Sequence, residues 1–242
     1  MVDVLQRDGR LDVADMAATF GTADMTIRRD LNRMVALGMA RRVRGGAISL
    51  LMRGEELPFA LRVLEQADAK GRIAAAVAAV LRDGEAIVLD SGTTALLVAR
   101  ELAGRQLTVM PMTLHAVSVL AAHQSSRLLL PGGDVRPGEL AMVGPLALAS
   151  IAGLRFDTAV LTCCGLDDDR ITTHDLGDAE VKRAMISSAA RVILAADSAK
   201  FRQTALAVVA PTTDVDMIIT DIDAPAETVR SLQAAGLEVM CV

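Results

Sequence analysis

Two groups of residues in this chain have the types and spacing to do chemistry: arginines along one side of a short helix, and hydroxyls gathered at a glycine turn. In Gly21-Thr-Ala-Asp-Met-Thr-Ile-Arg-Arg-Asp-Leu31 and the residues after it, Ile27, Leu31, Met34 and Val35 fall at i, i+4, i+7 and i+8, one apolar stripe of a helix. Arg28, Arg29 and Arg33 fall on the other side, with Thr26 one turn earlier. There, guanidinium forks reach phosphates and the O6/N7 edge of guanine in a major groove. Upstream, Val13, Met16, Ala17 and Phe20 make a second stripe that ends at Gly21, so two short helices flank a three- or four-residue turn. Gly38 is a helix stop, and Met39 to Ile48 then reads as two short strands around a glycine tip. Such a wing lays Arg41, Arg42 and Arg44 along a sugar-phosphate backbone, while Gly45 and Gly46 permit close approach. An arginine pair alone is usually a solvated face; pair, turn and wing together describe a reader of duplex DNA.

The hydroxyl group of residues is Asp90-Ser-Gly-Thr-Thr94, placed after an apolar run and before a helix. Gly92 lets backbone N–H groups turn toward an anion, the helix N-terminus adds partial positive charge, and Ser91, Thr93 and Thr94 supply donors. Ordinary helix capping accounts for the same residues equally well. No Walker lysine accompanies them, so nucleotide triphosphate hydrolysis is not indicated. Other loops offer further polar groups, each with a plainer alternative. Gly132 and Gly133 allow a turn close to a ligand, or simply a loop. Asp167, beside the solvated Asp168 and Asp169, is an acceptor for sugar hydroxyls or part of an acidic turn. Lys200, in Asp197-Ser-Ala-Lys-Phe201, is a cation for phosphate or carboxylate, or a surface partner of Asp197. Glu180 and Lys182 oppose the stripe Val181, Ala184, Met185 and are expected to point away from the helix core, into a cleft or into solvent.

These loops need elements to hold them. Apolar runs of strand length recur at Ala86–Leu89, Leu107–Met110, Arg127–Leu130, Thr158–Thr162, Val192–Ala195, Met217–Thr220 and Glu238–Cys241. Helical stretches lie at Thr94–Leu102, Leu114–Ala122, Pro145–Ala152, Ala179–Ala190 and Ala226–Ala235, preceded by one from Ala69 to Leu81 with Ile73, Val77, Val80 and Leu81 inward. Strands apolar on both faces and alternating with helices imply a largely parallel sheet covered on two sides, a Rossmann-like α/β domain that binds ligands beyond its strands' carboxyl ends. The expected organisation is a winged helix-turn-helix domain over 1–50, a linker over 51–68 whose Pro58 and Phe59 pack on one of the domains, and the α/β domain over 69–242.

Bulk properties agree. A chain of 242 residues exceeds the usual single domain, and 52% hydrophobic content supplies a core. Net charge is −5, but residues 1–50 carry +2 and the remainder −7, so positive charge collects where the helix-turn-helix lies. Aromatic residues make up 2%, too few for single-strand stacking platforms. Cys163, Cys164 and Cys241 lack metal-ligand spacing and read as reduced, cytoplasmic thiols. No signal peptide is recognisable and no apolar run reaches membrane-spanning length, so no membrane partner is expected.

Thr26-Ile-Arg-Arg-Asp-Leu31 followed by Arg42-Val-Arg-Gly-Gly-Ala47 resembles the signature of the DeoR family of bacterial transcriptional regulators. The likeness extends to Glu56-x-Pro-Phe-x-x-Arg62, Asp90-Ser-Gly-Thr-Thr94, Gly132-Gly133, Gly144-Pro145, Glu180-x-Lys182 and Asp197-Ser-Ala-Lys-Phe201. It implies a sugar-phosphate-sensing domain similar in fold to ribose-5-phosphate isomerase A. Ser91 to Thr94 would hold the effector's phosphate, and Asp90, Asp167, Lys182 and Lys200 would contact its polyol part or the phosphate rim. Three departures stand out: Arg44 replaces the usual wing histidine, only Met1 to Asp8 precede Gly9 where the family has several more residues, and Thr162-Cys-Cys-Gly165 replaces a Gly-Ala-Asp/Ser-Gly run. The expectation is a regulator, most often a repressor, of a sugar-catabolic operon. It would bind a pseudo-palindromic operator as a homodimer or tetramer and be released by a phosphorylated sugar, with no catalytic residues, metal or other cofactor. The alternatives are a sugar-phosphate isomerase-like enzyme with an appended basic domain, and a ligand-blind architectural DNA binder.

Overall fold

The structure, a computed structural model, describes residues 1–50 and 57–242 and divides into two compact units, Met1–Pro58 and Phe59–Val242. The expected linker residues 51–56, including Glu56 of the family-like segment, lie outside the described residues.

The first unit runs α1 (Val2–Asp8), β1 (Arg10–Asp12), α2 (Val13–Phe20), α3 (Asp24–Ala36), β2 (Ala40–Val43) and β3 (Gly46–Ser49). Glycine ends both central helices for a definite reason. At α2, Gly21 takes φ +60°, so Thr22 N–H reaches Ala17 O at 3.1 Å; at α3, Gly38 takes φ +74°, and Met39 N–H reaches Met34 O at 3.0 Å. Both are left-handed caps that satisfy carbonyls the helix leaves open. Asp12 starts α2 by accepting from Ala14 N–H at 2.9 Å. Ile27, Leu31 and Met34 are buried as the periodicity predicts, but Phe20 is 52% exposed and leaves the α2 stripe. It is the last residue of the helix, where the chain turns away at Gly21.

The strand β1 has too few residues for a period to show, and the sequence gives no sign of it. It pairs antiparallel with β3, making the order β1-β3-β2. A Cβ on Gly46 would lie 1.9 Å from Leu11 O, so that pairing requires glycine.

The second unit runs α4 (Phe59–Arg62), α5 (Ala67–Val80), β4 (Ala86–Leu89), α6 (Thr93–Leu102), β5 (Thr108–Pro111), α7 (Leu114–Ala121) and β6 (Arg127–Leu128). It continues with β7 (Asp134–Arg136), β8 (Ala141–Val143), α8 (Pro145–Ala152), β9 (Phe156–Leu161), β10 (Gly165–Leu166), β11 (Arg170–Thr173) and α9 (Leu176–Ser188). Then follow β12 (Ala189–Ala195), β13 (Ala207–Pro211), β14 (Met217–Thr220), α10 (Ala226–Ala234) and β15 (Glu238–Cys241), with short 3₁₀ turns at Ser198–Arg202 and Thr212–Asp214.

All seven apolar runs become strands of one parallel sheet, ordered β15-β14-β12-β9-β4-β5-β6. Alternate residues face opposite sides. Ile87, Leu89, Val160, Ile193 and Ile219 pack with α5, α6 and α7, while Val88, Ala159, Leu161, Leu194 and Ile218 pack with α8, α9 and α10. Strand order reverses between β4, which continues outward through β5 and β6, and β9, which continues the other way through β12, β14 and β15. The carboxyl ends of β4 and β9 therefore flank the topological switch point. Two antiparallel additions, β7-β8 and β10-β11-β13, have no counterpart in the sequence reading, because their strands are two to five residues long and partly polar.

Two glycine substitutions separate contact from conformation. Gly46→Ala is expected to lower stability by about 1–3 kcal/mol through collision with Leu11 O. Gly71→Ala, within α5 and with nothing near its Cβ, is expected to raise stability by about 0.5–1 kcal/mol. Urea unfolding of both variants reads the opposite signs; two changes of the same sign would contradict the packing described for β1 and β3.

Candidate functional site

In the first unit α3 presents Arg28, Arg29 and Arg33 to solvent while its opposite side is buried against the small core. Thirteen residues make a rod of about 20 Å, a length that suits a major groove. Thr26 is half-buried in the first turn, its N–H held by Ala23 O at 2.9 Å. The wing is a hairpin with Arg44 and Gly45 at its turn, Gly45 taking φ +84° and its carbonyl accepting from Val13 N–H at 2.9 Å. Arg41 and Arg44 are exposed. The expectation that Arg41, Arg42 and Arg44 lie along one backbone needs correction: Arg41 and Arg42 are neighbours on β2, so they face opposite sides of the hairpin. Arg42 is half-buried, with Nη1 shielded from solvent.

In the second unit the switch point holds a buried ionic cluster. Asp90 closes β4 and has no exposed surface. Its Oδ2 accepts from Thr162 N–H at 2.8 Å, from Thr162 Oγ1 at 3.0 Å, and from the Lys182 ammonium. Lys182, 2% exposed, also lies 3.4 Å from Asp178 Oδ2, one turn earlier on α9. Asp178 in turn accepts from Thr173 Oγ1 at 2.7 Å and Ser91 Oγ at 3.4 Å. Of the two alternatives for this pair, Lys182 takes the cleft, buried at the switch point where two carboxylates hold its ammonium, and Glu180 takes the solvent.

One lysine cannot neutralise two buried carboxylates. Burial pushes the Asp90 pKa up, with the charge of Asp178 adding to the effect against the pull of Lys182. Asp178 is held below the ordinary value despite its burial, by Lys182, by the Thr173 hydroxyl and by Arg136. Lys182 is raised although burial opposes it, because both carboxylates favour its charged form. Asp90 Oδ1 is buried without a hydrogen-bond partner.

Beside this cluster α6 begins. Ser91, Thr93 and Thr94 are buried, Gly92 takes φ +100°, and no side chain caps the helix. Thr162 Oγ1 instead donates to Ser91 O at 2.9 Å and clamps the turn. Simple capping is therefore not what these hydroxyls do.

The other candidates separate from this cluster. Gly133 sits against the first turn of α8, where a Cβ would be 2.4 Å from Val143 O, and Gly132 is an exposed turn residue at φ +71°. Close packing of the chain on itself accounts for Gly133 without a ligand. Asp167 is exposed at the β10–β11 turn, which its Oδ1 closes by accepting from Asp169 N–H at 2.9 Å and Arg170 N–H at 2.7 Å. It caps an antiparallel hairpin rather than the end of a parallel strand. Lys200 borders a separate cavity with Asp197 and Lys70. Cys164, at the departure from the family run, is buried with Sγ 3.4 Å from Thr173 Oγ1, and burial pushes the neighbouring Cys163 thiol up to about 12. Asp178, Thr162 and Lys70 were missed by sequence reasoning. The i,i+4 spacing of Asp178 and Lys182 was the one available signal.

Lys182→Met strands Asp90 and Asp178 without their cation, and a loss of about 3–5 kcal/mol is expected at pH 7. The deficit should shrink at pH 5, where the stranded carboxylates take up protons. Asp178 in the native protein has the opposite dependence: its pKa lies below the ordinary 3.8, so its contribution is full above that value and fades as pH falls through the folded value. Chemical unfolding at both pH values checks this, and a deficit that stays constant would contradict the shared-cation arrangement.

Residues 65–222 match the family model described as the DeoR C terminal sensor domain, and residues 1–51 match the DeoR-like helix-turn-helix domain. The chain is 34% identical over 224 residues to the transcriptional repressor AccR of Agrobacterium fabrum, covering 91% of this chain and 87% of that one. It is 31% identical over 250 residues to a putative aga operon transcriptional repressor of Escherichia coli O157:H7 (100% and 91%), and 28% identical over 234 residues to the glycerol-3-phosphate regulon repressor of Escherichia coli K12 (96% and 92%). Among solved structures, ribose 5-phosphate isomerase A of Methanocaldococcus jannaschii aligns at a TM-score of 0.42 and 15% identity, over 56% of this chain and 55% of that one. With both of its domains matched and relatives spanning its length, the chain belongs to the DeoR family of transcriptional regulators and is a DNA-binding regulator rather than an enzyme.

Proposed function

We propose that this regulator represses a carbohydrate-catabolic operon by placing α3 in the major groove and the wing along the adjacent backbone of a pseudo-palindromic operator. It acts as a homodimer or tetramer in the cytoplasm, and a phosphorylated sugar releases it. The names of two relatives, repressors of an aga operon and of a glycerol-3-phosphate regulon, support the operon class. The observation that carries the effector reading is the start of α6: buried hydroxyls and a positive-φ glycine at the switch point, with no side chain capping the helix. A phosphate there takes the first-turn amides as its donors. Asp90 and Lys182 stand behind this turn as its support, with Asp90 Oδ1 buried and without a hydrogen-bond partner.

Release requires that the effector bind the DNA-incompetent arrangement more tightly than the competent one. Among the described residues no helix is long and apolar enough to cross a membrane.

Arg28→Ala and Arg29→Ala are each expected to weaken operator binding by about 1–3 kcal/mol, and Arg44→Ala to lower the salt dependence of binding by about one charge. Fluorescence anisotropy on the operator, read across a salt series, measures both; unchanged affinity in both helix variants would remove α3 from the groove. Thr93→Val should keep DNA binding and lose release by sugar phosphates, and a normal response in that variant would move the phosphate elsewhere.

A further inference from the structure

The exposed residues of α3 are not equivalent, and the buried side of the helix fixes how they differ. Ile27, Leu31 and Met34 are buried and set the direction in which α3 packs on its own domain. At 3.6 residues per turn each residue is rotated by about 100° from the one before, so the direction opposite the mean of those three is determined. Arg29 lies within about 15° of it, and Met25, one turn earlier, within about 30°. Arg33 lies about 50° to one side and Arg28 about 90° to the other. With the buried stripe at its back, a helix in a major groove therefore turns Met25 and Arg29 to the base edges and Arg28 to the phosphates of the groove wall.

Met25 is 74% exposed on a side of the helix that is otherwise polar or charged, where its apolar surface gains nothing from the fold. Its thioether has no charge to pair with a phosphate and no hydrogen to donate to a base. The base edges of a major groove present one apolar group that suits it, the C5-methyl of thymine. Arg29 has the forked donors that match O6 and N7 of guanine. The two residues are about 6 Å apart along the helix axis, close to two base-pair steps of about 3.4 Å.

We propose that Met25 reads the methyl group of a thymine and Arg29 a guanine two base pairs away, so that this pair sets the sequence of the operator half-site, while Arg28 grips the backbone without reading sequence. The assignment rests on α3 lying in the major groove, and it goes beyond that placement by giving each side chain its own partner on the duplex.

Selection by the full chain from duplexes with a randomised core supplies the site, and fluorescence anisotropy on the selected duplex tests the assignment. The half-site should hold a thymine and a guanine two base pairs apart; a half-site without that pair would overturn the inference. Deoxyuridine in place of the thymine, which removes only the methyl group, should weaken the native protein and Met25→Leu about fivefold and leave Met25→Ala unaffected. In the same way, 7-deazaguanine, which lacks the N7 acceptor, should weaken the native protein about fivefold and leave Arg29→Ala unaffected. Arg28→Ala should weaken binding to the selected and to a scrambled duplex by the same factor and keep both base preferences; loss of either preference would overturn its place on the wall. If Met25→Ala still senses the methyl group while Arg29→Ala has lost its guanine, α3 lies in the groove and the role given to Met25 fails alone. If the native protein enriches no sequence, or if the Arg28, Arg29 and Met25 variants all bind and select as the native protein does, the placement of α3 in the groove fails as well.

Discussion

The sharing of one buried lysine between two carboxylates is the constraint from which the sensor domain's chemistry follows. Lys182 joins Asp90, at the end of β4, to Asp178, on its own helix, and Thr162 and Thr173 tie the pair to β9 and β11. Four elements thus meet at one ammonium. Removing three charges from water is expensive, and hydrophobic replacements of similar volume are often as stable. What the cluster supplies is position: through Asp90 and Thr162 it fixes the turn that leads into α6 at the switch point. Burial, with the charge of Asp178 adding to it, raises the Asp90 pKa, and Asp90 Oδ1 is left without a hydrogen-bond partner, so the site is polarised before any ligand arrives.

The two units put their helices to different uses. In the first, α3 carries its arginines on the exposed side, and left-handed glycine caps at Gly21 and Gly38 fix where the chain turns. In the second, α6 begins at a positive-φ glycine with no side-chain cap, and the buried Lys182 stands behind that turn. A mobile polyanion such as DNA is matched by long side chains that adapt to it. In the effector site proposed above, a small phosphate would be matched by rigid backbone donors, which discriminate by shape.

Much of the architecture was legible from periodicity. Runs such as Ile87 to Leu89 and Val160 to Leu161 are apolar at every position because both faces are covered, and that alone implies a parallel sheet between helices. The arginines of α3 were legible for the same reason, since a 3.6-residue period separates Arg28 and Arg29 from Ile27 and Leu31. Short pieces were not. The strand β1 is three residues long, and its existence depends on Gly46 letting Leu11 pass at backbone distance.

The sequence by itself determined which residues are apolar and at what period, and so the two domains, the seven strands and the glycine turn before α6. Tertiary structure alone decided which polar residues share a site. It brought Asp178, Thr162 and Lys70 to the carboxyl edge, sent Lys182 inward, and left Gly133 and Asp167 to close local turns. The physical reason is range. Hydrophobic period is a local property that each segment carries alone, whereas a buried charge acquires its meaning from partners that chain folding brings from as far as ninety-two positions away.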